Sequence, residues 1–267
     1  MKGNEVKQLV DKAIEELVEA LQSGESEAFV RYMRAFAAFP NYSFGNVAMI
    51  VSQRPDASRV AGFNAWKKLG RYVRKGERGI VIIAPVFRKD EDASRASDQT
   101  EDGASIKGFR AVRVFDIAQT AGEAIPEPEK ASGDPAGLTE KLRGLILSNG
   151  IRLLEEDLSD AYGQSRGGEI AIQKDLEPAE EFSVLVHEFT HELLHQVPER
   201  RNFSKTQKET EAEAVACIVA TAAGLEAKRA ATDYILSHDG TPETVVQSIE
   251  RIRQTASMIV TSLGLAA

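Results

Sequence analysis

The sequence predicts an α+β protein of two modules, a small N-terminal helix-plus-hairpin domain followed by a helix-rich domain. Three observations predict it. Two β-patterned stretches, IVIIAPVF (80–87) and FRAVRVFDI (109–117), lie among segments of helical spacing. Charge is split along the chain: residues 1–89 hold 15 Lys/Arg and 9 Asp/Glu, a net of +6, whereas 90–267 hold 18 and 32, a net of −14. Between the two halves, AGEAIPEPEKASGDPAG (121–137) holds Pro and Gly but no core-forming pattern, and reads as a linker. The expected division is therefore 1–120, a linker at 121–137, and 138–267.

Each element follows from its local pattern. Residues 4–22 place Val6, Leu9, Val10, Ala13, Ile14, Leu17 and Leu21 at helical spacing. A second helix is predicted over 26–38, where Phe29, Tyr32, Met33, Phe36 and Ala37 share a face and Pro40 ends the run. FGNVAMIVSQ (44–53) is a short helix stopped before Pro55. GFNAWKKLGRYVRKGERG (62–79) is turn-rich and basic. IVIIAPVF is a strand of β-branched residues after a glycine, and FRAVRVFDI is its hairpin partner. The polar residues between them, 90–106, are expected to form a disordered insert. In the second module, TEKLRGLILSNG is a helix ending at Gly150, and IRLLEE and GGEIAIQ (167–173) are short strands. A long helix is expected from Pro178 to just before Pro198. Further helices are expected over 208–224, 226–237 and 242–263.

Composition excludes several classes. No apolar run approaches the length that spans a bilayer, so no membrane partner is expected. MKGNEVKQLVDKAIEEL lacks the apolar core of a signal peptide. The single cysteine, Cys217, cannot form an internal disulfide and lies in the apolar run AVACIVATAAG, which predicts a buried structural thiol. A cytoplasmic protein is expected.

The stretch SVLVHEFTHELLHQVPE (183–199) contains H-E-x-x-H twice. One copy is His187-Glu188-Phe189-Thr190-His191; the other is His191-Glu192-Leu193-Leu194-His195. On a helix, histidines four apart lie on one face and bind one ion together. His187, His191 and His195 form a single stripe, with Phe182, Val186, Phe189 and Leu193 on the opposite, core-facing side. A catalytic zinc has three protein ligands and one water, so a third ligand is sought in the next helix. That helix supplies Glu209, Glu211 and Glu213. Glu209 and Glu213 share a face, so one can bind metal while the other orients a ligating histidine; Glu211 points elsewhere. An apolar helix follows these carboxylates at once, which predicts buried groups in need of a partner.

The first histidine pair is preferred. Val184 gives it apolar cover, His195 lies near the helix end set by Pro198, and His191 leaves the intervening loop more room. His187 and His191 are thus the expected ligands of one Zn2+ per chain, with Glu188 as general base. His195 is expected beside the site or as an alternative ligand. Zinc lowers the pKa of its bound water and Glu188 takes the proton, which predicts peptide-bond hydrolysis of an unidentified protein or peptide. GGEIAIQ is expected to pair with that substrate by β-addition.

A second chemistry lies upstream. Residues 54–89 hold 10 basic and 2 acidic residues, and within them aromatics alternate with cations. Phe63, Trp66 and Tyr72 interleave with Lys67, Lys68, Arg71, Arg74, Lys75 and Arg78, preceded by Tyr42, Arg54 and Arg59. Cations for phosphates and aromatic faces for bases are what non-specific single-strand binding needs. Single-stranded DNA is the expected partner. Trp66 also suits a core anchor, and Phe36, Phe39 and Phe44 are expected in the core.

The stretch NYSFGNVAMIVSQRPDASRVAGFNAWKKLGRYVRKGERGIVIIAPV (41–86), followed by VFDIAQT (114–120), resembles the N-terminal single-stranded-DNA-binding domain of ArdC-type antirestriction proteins. LVHEFTHELLH with KETEAEAVACIVA resembles their zincin-like domain, related to the ImmA/IrrE metallo-endopeptidases. The resemblance implies a small nucleic-acid-binding domain over 1–120 and a gluzincin-like metallopeptidase domain over 138–267. It implies His187, His191 and Glu209 as metal ligands, with Glu213 behind them. It also implies a role on mobile genetic elements, some such proteins being thought to protect incoming DNA. Two functions stay open: a zinc-dependent endopeptidase localised or triggered by DNA, and a non-catalytic DNA-shielding protein with a structural or vestigial metal.

Overall fold

The computed structural model of the chain describes residues 8, 11–16, 19, 26–88, 105–124, 136–159, 161–200, 202–225 and 242–266. Most of the expected insert, residues 125–135 of the linker and the expected helix at 226–237 lie outside the described residues. Of the expected first helix, residues 8, 11–16 and 19 are described, and they are helical. No helix among the described residues is long and apolar enough to cross a membrane.

Two compact units form: Met1–Glu16 with Gly45–Ile125, and Leu17–Phe44 with Pro126–Ala267. The packing boundary thus differs from the division by composition. The helix Ser26–Ala38 (α1) packs with the second unit. Its buried Tyr32, Met33 and Phe36 need a large apolar partner surface, which the helix-rich unit supplies.

The first unit contains helix Phe44–Gln53 (α2) from Gly45 onward, strand Val60–Gly62 (β1), helix Phe63–Lys68 (α3) and strand Arg71–Val73 (β2). Strands Ile80–Arg88 (β3), Ser105–Asp116 (β4) and Thr120–Gly122 (β5) complete it. The predicted β3–β4 hairpin is present and antiparallel, with Ile80 opposite Val114. β4 reaches back to Ser105, so the last two residues of the expected insert are strand. β4 is the centre of the three-stranded sheet, with β1 on its other side; β2 and β5 form a separate antiparallel pair. Ile80, Ile82 and Val114 are buried on one sheet face.

The outer edge of β3 is closed by side chains. Asn46 and Gln53, about two helical turns apart on α2, each donate to and accept from one strand residue, Ile83 and Val81 respectively, at 2.8–2.9 Å. These amides satisfy an edge that would otherwise recruit another strand. The basic stretch between α2 and β3 is held from below. Buried Asp116 accepts from the backbone N–H groups of Ser58, Arg59 and Ala118.

The second unit adds helix Ala136–Ser148 (α4), strands Arg152–Glu156 (β6), Gly163–Ser165 (β7) and Glu169–Gln173 (β8), and helices Pro178–His195 (α5), Lys205–Ala222 (α6) and Pro242–Ser262 (α7). α1 packs on α6 and α7, and α5 packs on α4, α6 and the sheet. β8 is central, parallel to β6 and antiparallel to β7. The expected β-addition of a peptide to β8 is therefore corrected: both its edges are paired, and the sheet edge beside α5 is β7. Three-residue β7 carries no periodicity from which to read it.

Candidate metal centre and nucleic-acid interface

α5 begins with Pro178 in its first turn and buries Phe182, Leu185, Val186 and Phe189. Leu194, not Leu193, continues the buried side; Leu193 is half-buried. The histidine stripe is covered as well, because α6 lies against it. His195 is buried, and His187 and His191 are partly so.

His187, His191 and Glu209 bring one donor atom each into a cluster. His187 Nε2 lies 3.1 Å from His191 Nε2, and Glu209 Oε2 lies 3.4 and 3.6 Å from those two nitrogens. Donors held at about 2.0–2.2 Å by one tetrahedral ion stand roughly 3.4 Å apart. The observed separations bracket that value, so the residues fit a single ion. Glu213 Oε2 sits 3.4 Å from the other ring nitrogen of His187. Glu209 and Glu213 are half-exposed rather than buried, contrary to the expectation from the following apolar run.

The electrostatics are those of a proton-holding cluster. Burial works to lower the His187 pKa, but hydrogen bonds to Glu209 and Glu213 outweigh it and push it up to about 9. His187 and then His191 hold the Glu209 carboxyl well below the usual carboxylate range. A cation in place of the proton satisfies the same donors. Glu188 is different: burial raises its carboxyl above the ordinary value, against the pull of His187 and His191.

The two motif copies differ in what their glutamates and outer histidines touch. Glu192 accepts from the Ser165 hydroxyl at 2.6 Å and from the Gly167 and Gly168 N–H groups at 2.8 and 2.7 Å. Both glycines have positive φ, which presents their N–H groups to one carboxylate. Glu192 thus ties the β7–β8 turn to α5. His195 Nε2 meets Glu211 at 3.2 Å, and its Nδ1 meets His191 Nδ1 at 2.9 Å. Burial lowers the His195 pKa. Glu188 is bonded instead to the Ser165 backbone, at the end of β7. It packs beside Gly163 of β7, where a Cβ would lie 2.7 Å from Glu188 Cγ.

Sequence reasoning set Glu211 aside as pointing elsewhere and gave it no role. It is fully buried and accepts from Ser248 at 2.7 Å and from the Arg251 guanidinium. Burial opposes its charge, but His195, Arg251 and Ser248 hold the carboxyl down to about 2. The signal was available: Glu211 shares a helix face with Val215, Ile218 and Val219, all fully buried. Cys217, expected to be buried, is half-buried, and burial raises its thiol pKa.

In the first unit, the basic stretch divides. Trp66 is 1% exposed and donates its Nε1 hydrogen to the Phe115 carbonyl at 2.8 Å, so it is a core anchor with no free face for a base. Arg71 is bound to Thr120 and to the Glu123 carbonyl, and Arg74 to Glu77 and the Ala118 carbonyl. Arg54 lies near Asp56 and buried Asp116, and Arg59 is half-buried. Phe63 and Tyr72 are 55% and 62% exposed, and Lys67, Lys68, Lys75 and Arg78 are exposed. Exposed Phe109, Arg110 and Arg113 on β4 were not foreseen. Tyr42 falls in the other unit, against Phe39.

A basic, aromatic-bearing α+β unit and a helix-rich unit with an H-E-x-x-H cluster define a two-domain chain of known type. Residues 3–115 match the N-terminal domain of anti-restriction factor ArdC, and residues 148–236 match the IrrE N-terminal-like domain of a peptidase family. The chain combines an ArdC N-terminal domain with an IrrE-like domain. An uncharacterized protein of Bacillus anthracis is 24% identical over 97% of this chain and 51% of its own length, so the chain spans about half of that relative. Two crystal structures of the antirestriction ArdC protein from the R388 plasmid also align. The metal-free one has a TM-score of 0.49 and 16% identity, over 85% of this chain and 86% of that one. The Mn(II)-bound one has 0.48 and 18%, over 83% and 89%.

Proposed function

We propose that the second unit is a zinc-dependent endopeptidase and that the first binds single-stranded DNA, in the service of antirestriction. The observation that carries the enzymatic part is the cluster itself: two imidazoles and one carboxylate at ion-sharing distances, with a buried glutamate of raised pKa in the same helical turn. His187, His191 and Glu209 hold the ion, a donor set that suits zinc. When bound, the ion supplies Lewis acidity that makes a water a nucleophile near neutral pH. Glu188 accepts the proton of that water at its carboxylate and delivers it to the leaving amine. Its raised pKa suits both halves of that task. Glu213 orients His187 through the distal ring nitrogen. The β7 edge lines up an extended peptide beside Glu188. Three protein donors leave an open position, as catalysis needs and a closed structural site does not.

Phe63 and Tyr72 offer faces to bases, and Lys67, Lys68, Lys75 and Arg78 neutralise phosphates. The deciding experiment is Glu188→Gln, scored for zinc content and for cleavage of a peptide library. Retained zinc with lost cleavage supports the enzyme. Equal cleavage by wild type and variant sinks Glu188 as base, and no cleavage by either leaves the DNA-shielding reading.

A further inference from the structure

The buried contacts behind the metal cluster form a chain with only one consistent direction of donation. It starts at His191, whose Nε2 faces His187 and Glu209. A ring nitrogen that faces a cation carries a lone pair, so the His191 proton sits on Nδ1. That Nδ1–H meets His195 Nδ1 at 2.9 Å, which must then accept. The His195 proton is therefore on Nε2, 3.2 Å from Glu211 Oε2, a carboxylate that can only accept. Glu211 Oε1 accepts in turn from the Ser248 hydroxyl at 2.7 Å and from Arg251. The Arg251 guanidinium is held against the Phe203 ring, 5.1 Å from its centroid. The reverse direction fails: a proton on His195 Nδ1 would leave a bare Nε2 lone pair against a buried carboxylate, which costs free energy on both groups.

We infer that His195 and Glu211 are positioning residues for the metal ligand His191, and that α7, through Ser248 and Arg251, anchors the metal site. The inference rests on the metal-site reading above and deepens it. The two histidine ligands are supported unequally. His187 is oriented by half-exposed Glu213, whereas His191 is oriented through a buried histidine and a fully buried carboxylate. The last histidine of the second motif copy thus serves the first copy. The helix repeats its histidines every four residues so that the third can accept from the second.

The geometry of the imidazole gives a graded test. Asparagine at 195 keeps an acceptor near the Nδ1 position, glutamine keeps a polar group near Nε2 only, and leucine keeps neither. Zinc affinity of the full-length protein, measured by chelator competition, is expected to fall about 10–100-fold in His195→Leu. His195→Gln should be as weak, and His195→Asn should recover most of the loss. Glu211→Gln should also weaken zinc binding. Thermal melts of the metal-free variants keep misfolding from passing as lost affinity. Nitrogen-15 histidine spectra of zinc-loaded wild type should place the His195 proton on Nε2. If wild type binds zinc and His195→Leu binds it equally well, or if His195 of the zinc-loaded protein carries its proton on Nδ1, the positioning role is wrong. If wild type binds no zinc, the metal-site reading fails and this inference with it.

Discussion

Gly163→Ala tests the approach of β7 to the base. A Cβ at that position would lie 2.6 Å from Val184 Cγ1, 2.7 Å from Glu188 Cγ and 2.9 Å from Glu188 Oε1. Ordinary contact begins near 3.4 Å, so strand and helix must part by about 0.7–0.8 Å or Glu188 must leave its place. Overpacking of this kind costs about 1–3 kcal/mol. Stiffening the unfolded chain by Gly→Ala offsets about 0.4–1 kcal/mol of it, because Gly163 is not at positive φ. A net loss of about 1–2 kcal/mol is expected, which lowers Tm by roughly 2–8 °C in a chain of this size. Displacing a base by under 1 Å slows hydrolysis by about 10–100-fold. Zinc content should not change, because the atoms nearest the new methyl belong to Val184 and Glu188 and not to His187, His191 or Glu209. The assay is a thermal melt with and without zinc, beside peptide turnover per bound zinc. A Tm at or above that of wild type with unchanged turnover would refute the close approach and with it the place of Glu188 under the substrate strand.

Trp66→Ala should destabilise the protein by about 3–5 kcal/mol in a denaturant melt, because it empties a core site. Phe63→Ala and Tyr72→Ala should leave stability within about 0.5 kcal/mol yet weaken binding to single strands by about 1–3 kcal/mol each, measured by anisotropy titration. Charge reversal at Lys67, Lys68 and Lys75 should flatten the salt dependence of that binding by about 0.7 in log–log slope per lost phosphate contact. Zinc binding should tighten about tenfold per pH unit toward pH 9, because His187 must release a proton held with a pKa of about 9. In the metal-free protein the sign is opposite. The stabilisation from protonated His187 is complete below its ordinary value of 6.5 and is lost as pH rises through about 9, which melts across that window would show.

Long periodic elements were legible and short ones were not. The helices at 26–38 and 44–53 lie where spacing and proline place them, and the β3–β4 hairpin follows from two runs of β-branched residues. β1, β2, β5 and β7 have three residues each, too few for a period to show. Their positions come from partners distant in sequence, such as Asp116 beneath Ser58 and Arg59. Trp66 was ambiguous for the same reason: its neighbours are cations, but its partner is the Phe115 carbonyl far along the chain. Composition also hid the membership of α1, since a helix next to the basic stretch carries no mark of the unit that its Tyr32, Met33 and Phe36 will meet.

The doubled motif shows where pattern stops and partners begin. Both copies satisfy H-E-x-x-H, so spacing alone cannot rank them. The difference lies in the second glutamate, whose carboxylate is saturated by one hydroxyl and two backbone N–H groups at 2.6–2.8 Å. A base so held would have to break those bonds to take a proton, and the glycine turn that donates them cannot follow it. The hydrogen bond that Glu188 has is to the Ser165 backbone, and burial raises its proton affinity against it. The turn Gly167-Gly168 was visible in the sequence as a break before a strand, but its positive φ angles and what they aim at were not. Glu192→Ala therefore separates the copies. If Glu192 is the structural tie, its loss should loosen the β7–β8 turn and lower Tm while zinc stays bound to His187, His191 and Glu209. A Glu192→Ala protein with unchanged Tm and no hydrolysis, beside a fully active Glu188→Gln, would give the base to the second copy.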